Sequence, residues 1–213
     1  EPYVHAMSLE RKNLRITVVR RKRGNEQLLA FIKEKHAGES GIVYTSSRAK
    51  AETICAFLAA EGINCLCYHA GLSREHRELS QTRFLHEKDA VIVATIAFGM
   101  GIDKADVRFV AHTSLPKSIE NYVQEIGRAG RDGQKAEAWL CFSGGDAFFQ
   151  KKRIAESDAE DWYKNISEVK QDVMQGYAES TECRRNLLLA YFGEETKEAC
   201  GQCDNCLASE KSW

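Results

Sequence analysis

The sequence predicts an α/β fold, with helices on both faces of a mainly parallel β-sheet, followed by a small, mainly helical domain. Segments with strand and helix patterns alternate along 1–155, as in β-α-β crossover connections. The run 90–94 is continuously apolar, which is typical of a strand buried on both faces. The composition turns polar near residue 155, so we expect domains at 1–155 and 156–213.

Each element follows from a local pattern. The segment 14–19 alternates and is rich in β-branched residues, whereas 48–61 places its apolar residues on one helical face. Ser73 is expected to cap the third helix and Gly62 to close the second. The strands are expected at 14–19, 41–45, 64–68, 90–94, 108–113 and 136–143, and the helices at 24–36, 48–61, 73–87, 118–126 and 183–192. One or two more helices are expected within 155–176.

Charge is unevenly distributed along the chain. Residues 1–155 carry 24 Lys and Arg against 18 Asp and Glu, whereas 156–213 carry 6 against 13. Seven cations and no acidic residue lie within 11–23, which indicates either a solvated strand edge and loop or a phosphate-contacting surface. No apolar run is long enough to span a membrane. Residue 1 is Glu, so we expect a longer parent chain.

Two segments contain residues suited to phosphate. The first, 94–103, leaves a buried strand and contains Gly99 and Gly101, which allow a ligand to approach the backbone closely. Taken alone, it also fits a plain tight turn. In the second, Gln124, Arg128 and Arg131 are spaced four and three apart, so they share one face if the helix continues that far. Paired guanidinium groups suit phosphate oxygens, although surface arginines more often form exposed salt bridges.

These segments resemble the motifs of superfamily-two helicases. Motif VI is matched by 124–133 (QEIGRAGRDG), motif V by 94–103 (ATIAFGMGID) and motif IV by 41–50 (GIVYTSSRAK). The following family motif is matched by 68–72 (YHAGL), and all four occur in the expected order. Their wording is most similar to that of the RecQ DNA helicases, and the resemblance covers nearly the whole chain.

The resemblance implies that 1–155 is the second of two RecA-like motor domains, which closes on ATP and Mg²⁺ held by the first. Arg131 would then be an arginine finger that reaches the γ-phosphate, and Arg128 and Gln124 would support the nucleotide or the domain interface. Gly101 and Asp103 would lie near the nucleotide. No phosphate-binding Gly-Lys-Ser/Thr loop and no Asp-Glu-x-His motif occurs in the chain, so we expect it not to hydrolyse ATP alone.

The same resemblance implies a track for single-stranded DNA at the strand ends. The expected contacts are Thr45, Ser46, Ser47, Arg48, His69 and Thr95. A strand end followed by a helix start suits phosphate, because free N–H groups and the helix dipole attract anions. Ser47 is also expected to cap a helix, and packing is the alternative role for His69. Single-stranded and duplex-junction DNA and the first RecA-like domain are the expected partners.

Four cysteines near the C-terminus, Cys183, Cys200, Cys203 and Cys206, supply the complete shell of a structural tetrahedral zinc site. A four-iron cluster is an alternative for this spacing, and free or disulfide-bonded thiols are another. The segments TECRR, AYFGE and CGQCDNC resemble the RecQ zinc-binding domain in its compact bacterial form, which favours Zn²⁺. The remaining four cysteines are expected in the core.

The family resemblance implies 3′-to-5′ unwinding in DNA recombination and repair. It also implies a location inside the cell, in the cytoplasm or nucleoid of a bacterium or in a eukaryotic nucleus. Two other functions fit parts of the sequence. A non-catalytic, zinc-containing DNA-binding module has no use for the arginine of an intact motif VI. An RNA helicase of the same superfamily does not account for the cysteine domain.

Overall fold

The computed structural model describes residues 10–96, 98, 103–194 and 198–208. The strands are β1 (Leu14–Arg20), β2 (Gly41–Tyr44), β3 (Cys65–Tyr68), β4 (Val91–Ala94), β5 (Phe109–His112) and β6 (Ala136–Phe142). The helices are α1 (Gly24–Lys35), α2 (Arg48–Ala60), α3 (Arg74–His86), α4 (Ile119–Ile126), α5 (Gly144–Ala155), α6 (Asp161–Glu179), α7 (Arg184–Tyr191) and α8 (Asp204–Leu207). The α/β fold class is therefore confirmed. No described helix is both long enough and apolar enough to cross a membrane.

The six strands form one parallel sheet in the order β1-β6-β5-β2-β4-β3. The strands are parallel because each connection returns the chain to the end of the sheet at which the strands begin. All strands therefore finish at the opposite, carboxyl end of the sheet, where the ends of β2, β3, β4 and β5 lie side by side. Gly41 begins β2 next to Phe109, whose ring lies 2.1 Å from the position of a Cβ, so this contact requires glycine.

Helices cover both faces of the sheet. On one face α1 and α2 bury Leu28, Phe31 and Leu58 against the sheet. On the other face lie α3, α4 and the C-terminal helices. Met174 of α6 and Leu188 of α7 belong to the same apolar cluster as the strands. The C-terminal helices therefore share a core with the sheet.

One helix was not predicted from the sequence, and the end of another bears on the motif VI side chains. Helix α5 begins at Gly144, where no helix was expected, because Asp146 accepts a hydrogen bond from the Ser143 N–H (2.9 Å) and closes the first turn. Helix α4 ends at Ile126, as predicted from the sequence, so the chain has left the helix before Arg131. The condition under which the three motif VI side chains would share one helical face, a helix that continues to Arg131, is therefore not met.

Candidate nucleotide and DNA interface with a thiol metal site

The turn after α4 carries the two arginines of the motif VI segment. Gly130 has a φ of +60°, a conformation that side chains rarely adopt. A Cβ there would lie 2.6 Å from Asn13 Nδ2 and 2.8 Å from the Gln134 carbonyl oxygen. Glycine is thus required at this position for two reasons, the backbone conformation and the lack of space for a Cβ. The resulting sharp turn places Arg131 on the surface.

Arg131 pairs with Asp103, the residue expected beside it at the nucleotide. The Nη1 atom of Arg131 lies 3.1 Å from Oδ1 of Asp103, and the two side chains are 37% and 90% exposed. Exposed ion pairs contribute little free energy, about 0–1 kcal/mol, so a phosphate can replace Asp103 as the partner of Arg131. Gly101, the other residue expected here, lies outside the described residues.

Arg128 interacts with the end of β2 instead. Its guanidinium hydrogen-bonds the hydroxyl of Tyr44, which in turn donates to the Phe98 carbonyl oxygen at 3.0 Å. Burial raises the pKa of Tyr44, and the charge and hydrogen bond of Arg128 act in the opposite direction. One tyrosine therefore joins the motif IV strand, the motif V loop and the motif VI turn.

A buried histidine–carboxylate pair lies beside this tyrosine. Nε2 of His112 lies 2.7 Å from Oε2 of Glu125, and both residues are buried. The His112 ring stacks on Tyr44 with centroids 5.3 Å apart. Glu125 belongs to motif VI and His112 ends β5, so the pair fastens the arginine-bearing segment to the sheet.

Neither arginine lines the cavity at which Gln124 lies. Gln124 is exposed on α4, and this cavity of about 370 Å³ lies between α4, α7 and β1. The structure thus brings Arg131 and Asp103 together, sends Arg128 to Tyr44 and leaves Gln124 at this separate cavity.

The residues expected to contact DNA lie at the carboxyl ends of adjacent strands. Thr45, Ser46 and Thr95 line a shared cleft of about 120 Å³, whose wall also includes Lys117 and Arg153. Arg153 donates from Nη1 to the Ser46 carbonyl oxygen at 3.3 Å. Neither cation was predicted from the sequence, because Arg153 lies on the unexpected helix α5 and Lys117 lies in a loop that contains no recognised motif.

The other expected DNA contacts differ in accessibility. Ser47 caps α2, where its hydroxyl accepts from the Lys50 N–H at 3.3 Å, and Arg48 is exposed. His69 is buried, and both ring nitrogens have protein partners: Nε2 lies 3.0 Å from Glu52, and Nδ1 accepts from the Gly71 N–H. This geometry favours packing over DNA contact for His69.

Two cations of the basic segment 11–23 are bound to the protein itself. Arg21 donates to Ser143 Oγ (2.6 Å), Asp146 Oδ1 (2.7 Å) and the Thr113 carbonyl oxygen (3.1 Å), so it anchors the start of α5. Arg11 donates to main-chain carbonyls of the motif VI turn. For these two arginines the phosphate-contacting alternative has little support.

The four C-terminal cysteines converge at one place. All four Sγ atoms lie within 4.8 Å of one another, and Cys200 Sγ and Cys206 Sγ are 3.8 Å apart. A tetrahedron with bonds of about 2.3 Å, the zinc–sulfur distance, has edges of about 3.8 Å. The donor set and its size therefore fit a zinc ion with no open coordination position.

Cys183 has surroundings suited to a thiolate. Burial raises the pKa of its thiol, but hydrogen bonds from the Cys200 and Asn186 N–H groups and from neighbouring thiols bring it down to about 7. The adjacent Arg184 is fully buried and donates to Asp204 and to the Tyr177 carbonyl oxygen. It thereby fixes the cysteine turn to the end of α6.

The other four cysteines were expected in the core; Cys141 belongs to the core cluster, and Cys55, Cys65 and Cys67 pack against it. Cys141 is buried, whereas the other three are half-buried. Cys65 and Cys67 share a face of β3, and Cys55 of α2 hydrogen-bonds both. The sequence did not reveal this third thiol, because α2 and β3 meet only in the folded chain.

Comparison with known proteins agrees with this geometry. The model of the helicase conserved C-terminal domain matches residues 23–133, and that of the RecQ zinc-binding domain matches 144–207. The ATP-dependent DNA helicase RecQ of Pasteurella multocida is 43% identical over 212 residues, which cover 100% of this chain and 33% of that protein. The RecQ-like DNA helicase BLM of Xenopus laevis is 41% identical over 99% of this chain and 16% of that protein.

A solved structure shares the fold of the sheet. The E. coli DEAD-box protein SrmB, bound to regulator of ribonuclease activity A, matches with a TM-score of 0.53 and 25% identity, over 68% of this chain and 85% of that one. The fold and the motif turns define a RecA-like helicase motor domain joined to a cysteine metal-binding domain. The chain belongs to the RecQ helicase family and spans about a third of the length of its Pasteurella relative.

Proposed function

We propose that this chain is the second motor domain and the zinc-binding domain of an ATP-dependent DNA helicase that unwinds 3′ to 5′ in recombination and repair. The observation that carries the proposal is the motif VI turn, which presents Arg131 on the surface beside Asp103. An arginine in a weak surface pair can transfer to a phosphate when another domain brings one. This chain has no phosphate-cradling loop, so ATP and Mg²⁺ come from the first motor domain.

In this function Arg131 neutralises the negative charge that spreads over the γ-phosphoryl group during transfer. Arg128 stays on Tyr44 and links the turn to the loops after β2 and β4. Gly101 and Asp103 complete the nucleotide side, and Gln124, at its separate cavity, supports the domain interface. A shift of motif VI on domain closure would thus act on the DNA-facing loops through one buried network.

The DNA strand crosses the carboxyl edge of the sheet. The cleft between Thr45, Ser46 and Thr95 is flanked by Lys117 and Arg153, which neutralise phosphates, and Ser47 and Arg48 extend the track along α2. A track along these residues fits single-stranded DNA, and the duplex junction would lie beyond the end of the track. Affinity should fall with salt, with a logarithmic slope of about −0.7 per phosphate contacted.

Cys183, Cys200, Cys203 and Cys206 hold Zn²⁺ in this proposal. Four protein thiolates leave no position for water or substrate, so the ion serves folding and not chemistry. The observed sulfur spacing supports zinc, whereas the spacing of the cysteines along the sequence left an iron–sulfur cluster open.

The proposal is tested by replacing Arg131 in the full-length protein. Because Arg131 would reach the γ-phosphoryl charge only after domain closure, Arg131→Ala should lower DNA-stimulated kcat by about 10³-fold or more. Nucleotide affinity should change far less, since the first domain holds most of the nucleotide. Arg131→Lys should also fail, because a point charge cannot reproduce the planar fork. Steady-state ATPase assays and stopped-flow nucleotide binding measure both quantities.

Arg128→Ala is the matched comparison, with a larger share of its loss in nucleotide or interdomain binding. The chain on its own is the second control and should show no ATPase above background. If Arg131→Ala retains kcat within about tenfold of the wild type, a loss of only about 1.4 kcal/mol, the finger assignment is wrong. Robust hydrolysis by the isolated chain would contradict the division of labour between the domains.

A further inference from the structure

Arg11 makes a set of contacts that the proposed function does not yet use. Its guanidinium donates to three carbonyl oxygens of the motif VI turn, those of Gly127 (3.3 Å), Ala129 (2.8 Å) and Gly130 (3.0 Å). Asn13 Nδ2 donates to the same Gly130 oxygen at 2.8 Å. Arg11 is half-buried and lies 116 to 119 residues from these partners in the chain.

The turn needs such a partner because it has left the helix. The last carbonyls of a helix have no intrahelical donor, and a buried carbonyl without a hydrogen bond is costly. Ala129 is buried, so water does not readily replace Arg11 as the donor to its oxygen, whereas the Gly130 oxygen also accepts from Asn13. A planar guanidinium can serve several acceptors at fixed angles, which an ammonium cannot do. Arg11 therefore fixes both the position and the orientation of the peptide groups on either side of Arg128.

The main chain around Arg11 is itself held by residues beside the cysteine cluster. Arg185 donates from Nη2 to the carbonyl oxygens of Arg11 (3.0 Å) and Leu14 (2.9 Å). Gln202, which lies between two of the cysteines, donates to the Lys12 carbonyl oxygen at 2.9 Å. The segment 11–14 is thus fastened to the metal-binding domain on one side and to the motif VI turn on the other.

We propose that Arg11 is a positioning residue for Arg131, and that it couples the placement of Arg131 to the cysteine domain through segment 11–14. The proposal rests on the proposed function, in which Arg131 must meet a γ-phosphate. Arg11 does not touch the nucleotide in this scheme. It restricts the conformational freedom of the turn, so that domain closure places Arg131 in the productive geometry.

The test is a double-mutant cycle in the full-length protein with Arg11→Ala, Arg131→Ala and the combined variant. A displacement of about 1 Å at a reacting group can cost on the order of 100-fold in rate, so Arg11→Ala should lower kcat by that order. Nucleotide dissociation constants should stay within about threefold. Because Arg11 acts through Arg131, the combined variant should be no slower than Arg131→Ala alone. Independent, multiplied losses would overturn the proposal.

Hydrogen exchange in the same proteins provides a readout that does not depend on ATPase activity. Arg11→Ala should speed the exchange of amides in 127–131 and leave those of β4 unchanged, whereas Lys12→Ala, which removes an exposed neighbouring cation, should alter neither. If Arg11→Ala does not fold, Arg11→Lys replaces it, since an ammonium cannot reach all three carbonyls. Unchanged exchange at 127–131 overturns the positioning role. A wild-type kcat in Arg131→Ala overturns the finger assignment instead. In that case hydrogen exchange alone tests whether Arg11 positions the turn.

Discussion

At the scale of single residues, two histidine–carboxylate pairs show how burial changes the contribution of such a pair to the free energy of unfolding. Glu125 and Glu52 each lie within hydrogen-bonding distance of the Nε2 atom of a buried histidine, His112 and His69 respectively. Glu125 is itself buried, whereas the side chain of Glu52 is 61% exposed. Water can take the place of the second carboxylate but not of the first.

Glu125→Ala should therefore lower the free energy of unfolding by about 1–3 kcal/mol, because it leaves a buried N–H of His112 without an acceptor. Glu52→Ala should cost less than about 1 kcal/mol, since its removal opens a path for water to His69. Urea titration of the two variants beside the wild type measures both values. Equal losses would show that the buried pair has no special role in fastening motif VI to the sheet.

At the scale of elements, the sequence predicted most of the sheet and its crossover helices. The strands have strong local signals: β4 is an uninterrupted apolar run, and its four residues are almost completely buried. Helix α5 escaped prediction because Gly144 and Gly145 disfavour helix, and the capping contact from Asp146 that offsets them is a weak signal in one sequence. The end of α4 at Ile126 was predicted correctly, and Arg11 holds the turn that follows it from more than 100 residues away.

Strand β6 contains an element-scale exception to apolar burial. Glu137 is buried within it and accepts from Thr17 Oγ1 (2.8 Å) of β1 and Lys35 Nζ (3.3 Å) of α1, with His36 nearby. Burial raises the pKa of Glu137, but the neighbouring His36 ring, the hydrogen bond from Thr17 and the charge of Lys35 outweigh it, and the pKa falls to about 2. The ionised carboxylate thus joins three elements.

A folded-state pKa of about 2, below the ordinary value of 4.5, means that ionised Glu137 stabilises the folded chain at neutral pH. This contribution is fully present above pH 4.5 and is lost as the pH falls toward about 2. Glu137→Gln should therefore be less stable than the wild type at pH 7, and the difference should shrink across that window. Urea midpoints measured from pH 7 to pH 3 check this. Glu61→Gln, at an exposed ion pair with Lys33, is the control and should change stability little at either pH.

At the scale of the whole molecule, the cysteine domain and the motor sheet form one continuous structure. They share an apolar cluster, and Arg185 reaches main-chain carbonyls up to 174 residues away. Such contacts leave no mark in a single sequence, which is why the motifs predicted Arg131 and the cysteines but not Arg11 or Arg185. Motifs describe groups expected to meet a ligand, whereas these two arginines donate to main-chain carbonyls distant in the sequence.

Metal removal tests this continuity. The purified chain should contain one zinc ion, because four thiolates complete its shell. Metal binding often supplies the folding free energy of small domains, so chelation should unfold 198–208 and release Gln202 from Lys12. Hydrogen exchange should then rise at 11–14 and, to a smaller extent, at 127–130, while α2 on the opposite face of the sheet stays protected.

Cys203→Ser should reproduce the effect of chelation, whereas Cys55→Ser, which alters a thiol outside the cluster, should keep both the metal and the exchange pattern. Elemental analysis accompanies each exchange measurement. Iron in place of zinc, or a folded C-terminal segment without metal, would contradict the structural zinc assignment. Loss of zinc with unchanged exchange at 11–14 would not contradict the zinc assignment. It would show that the metal site is not coupled to motif VI, because segment 11–14 is the contact that joins the two regions.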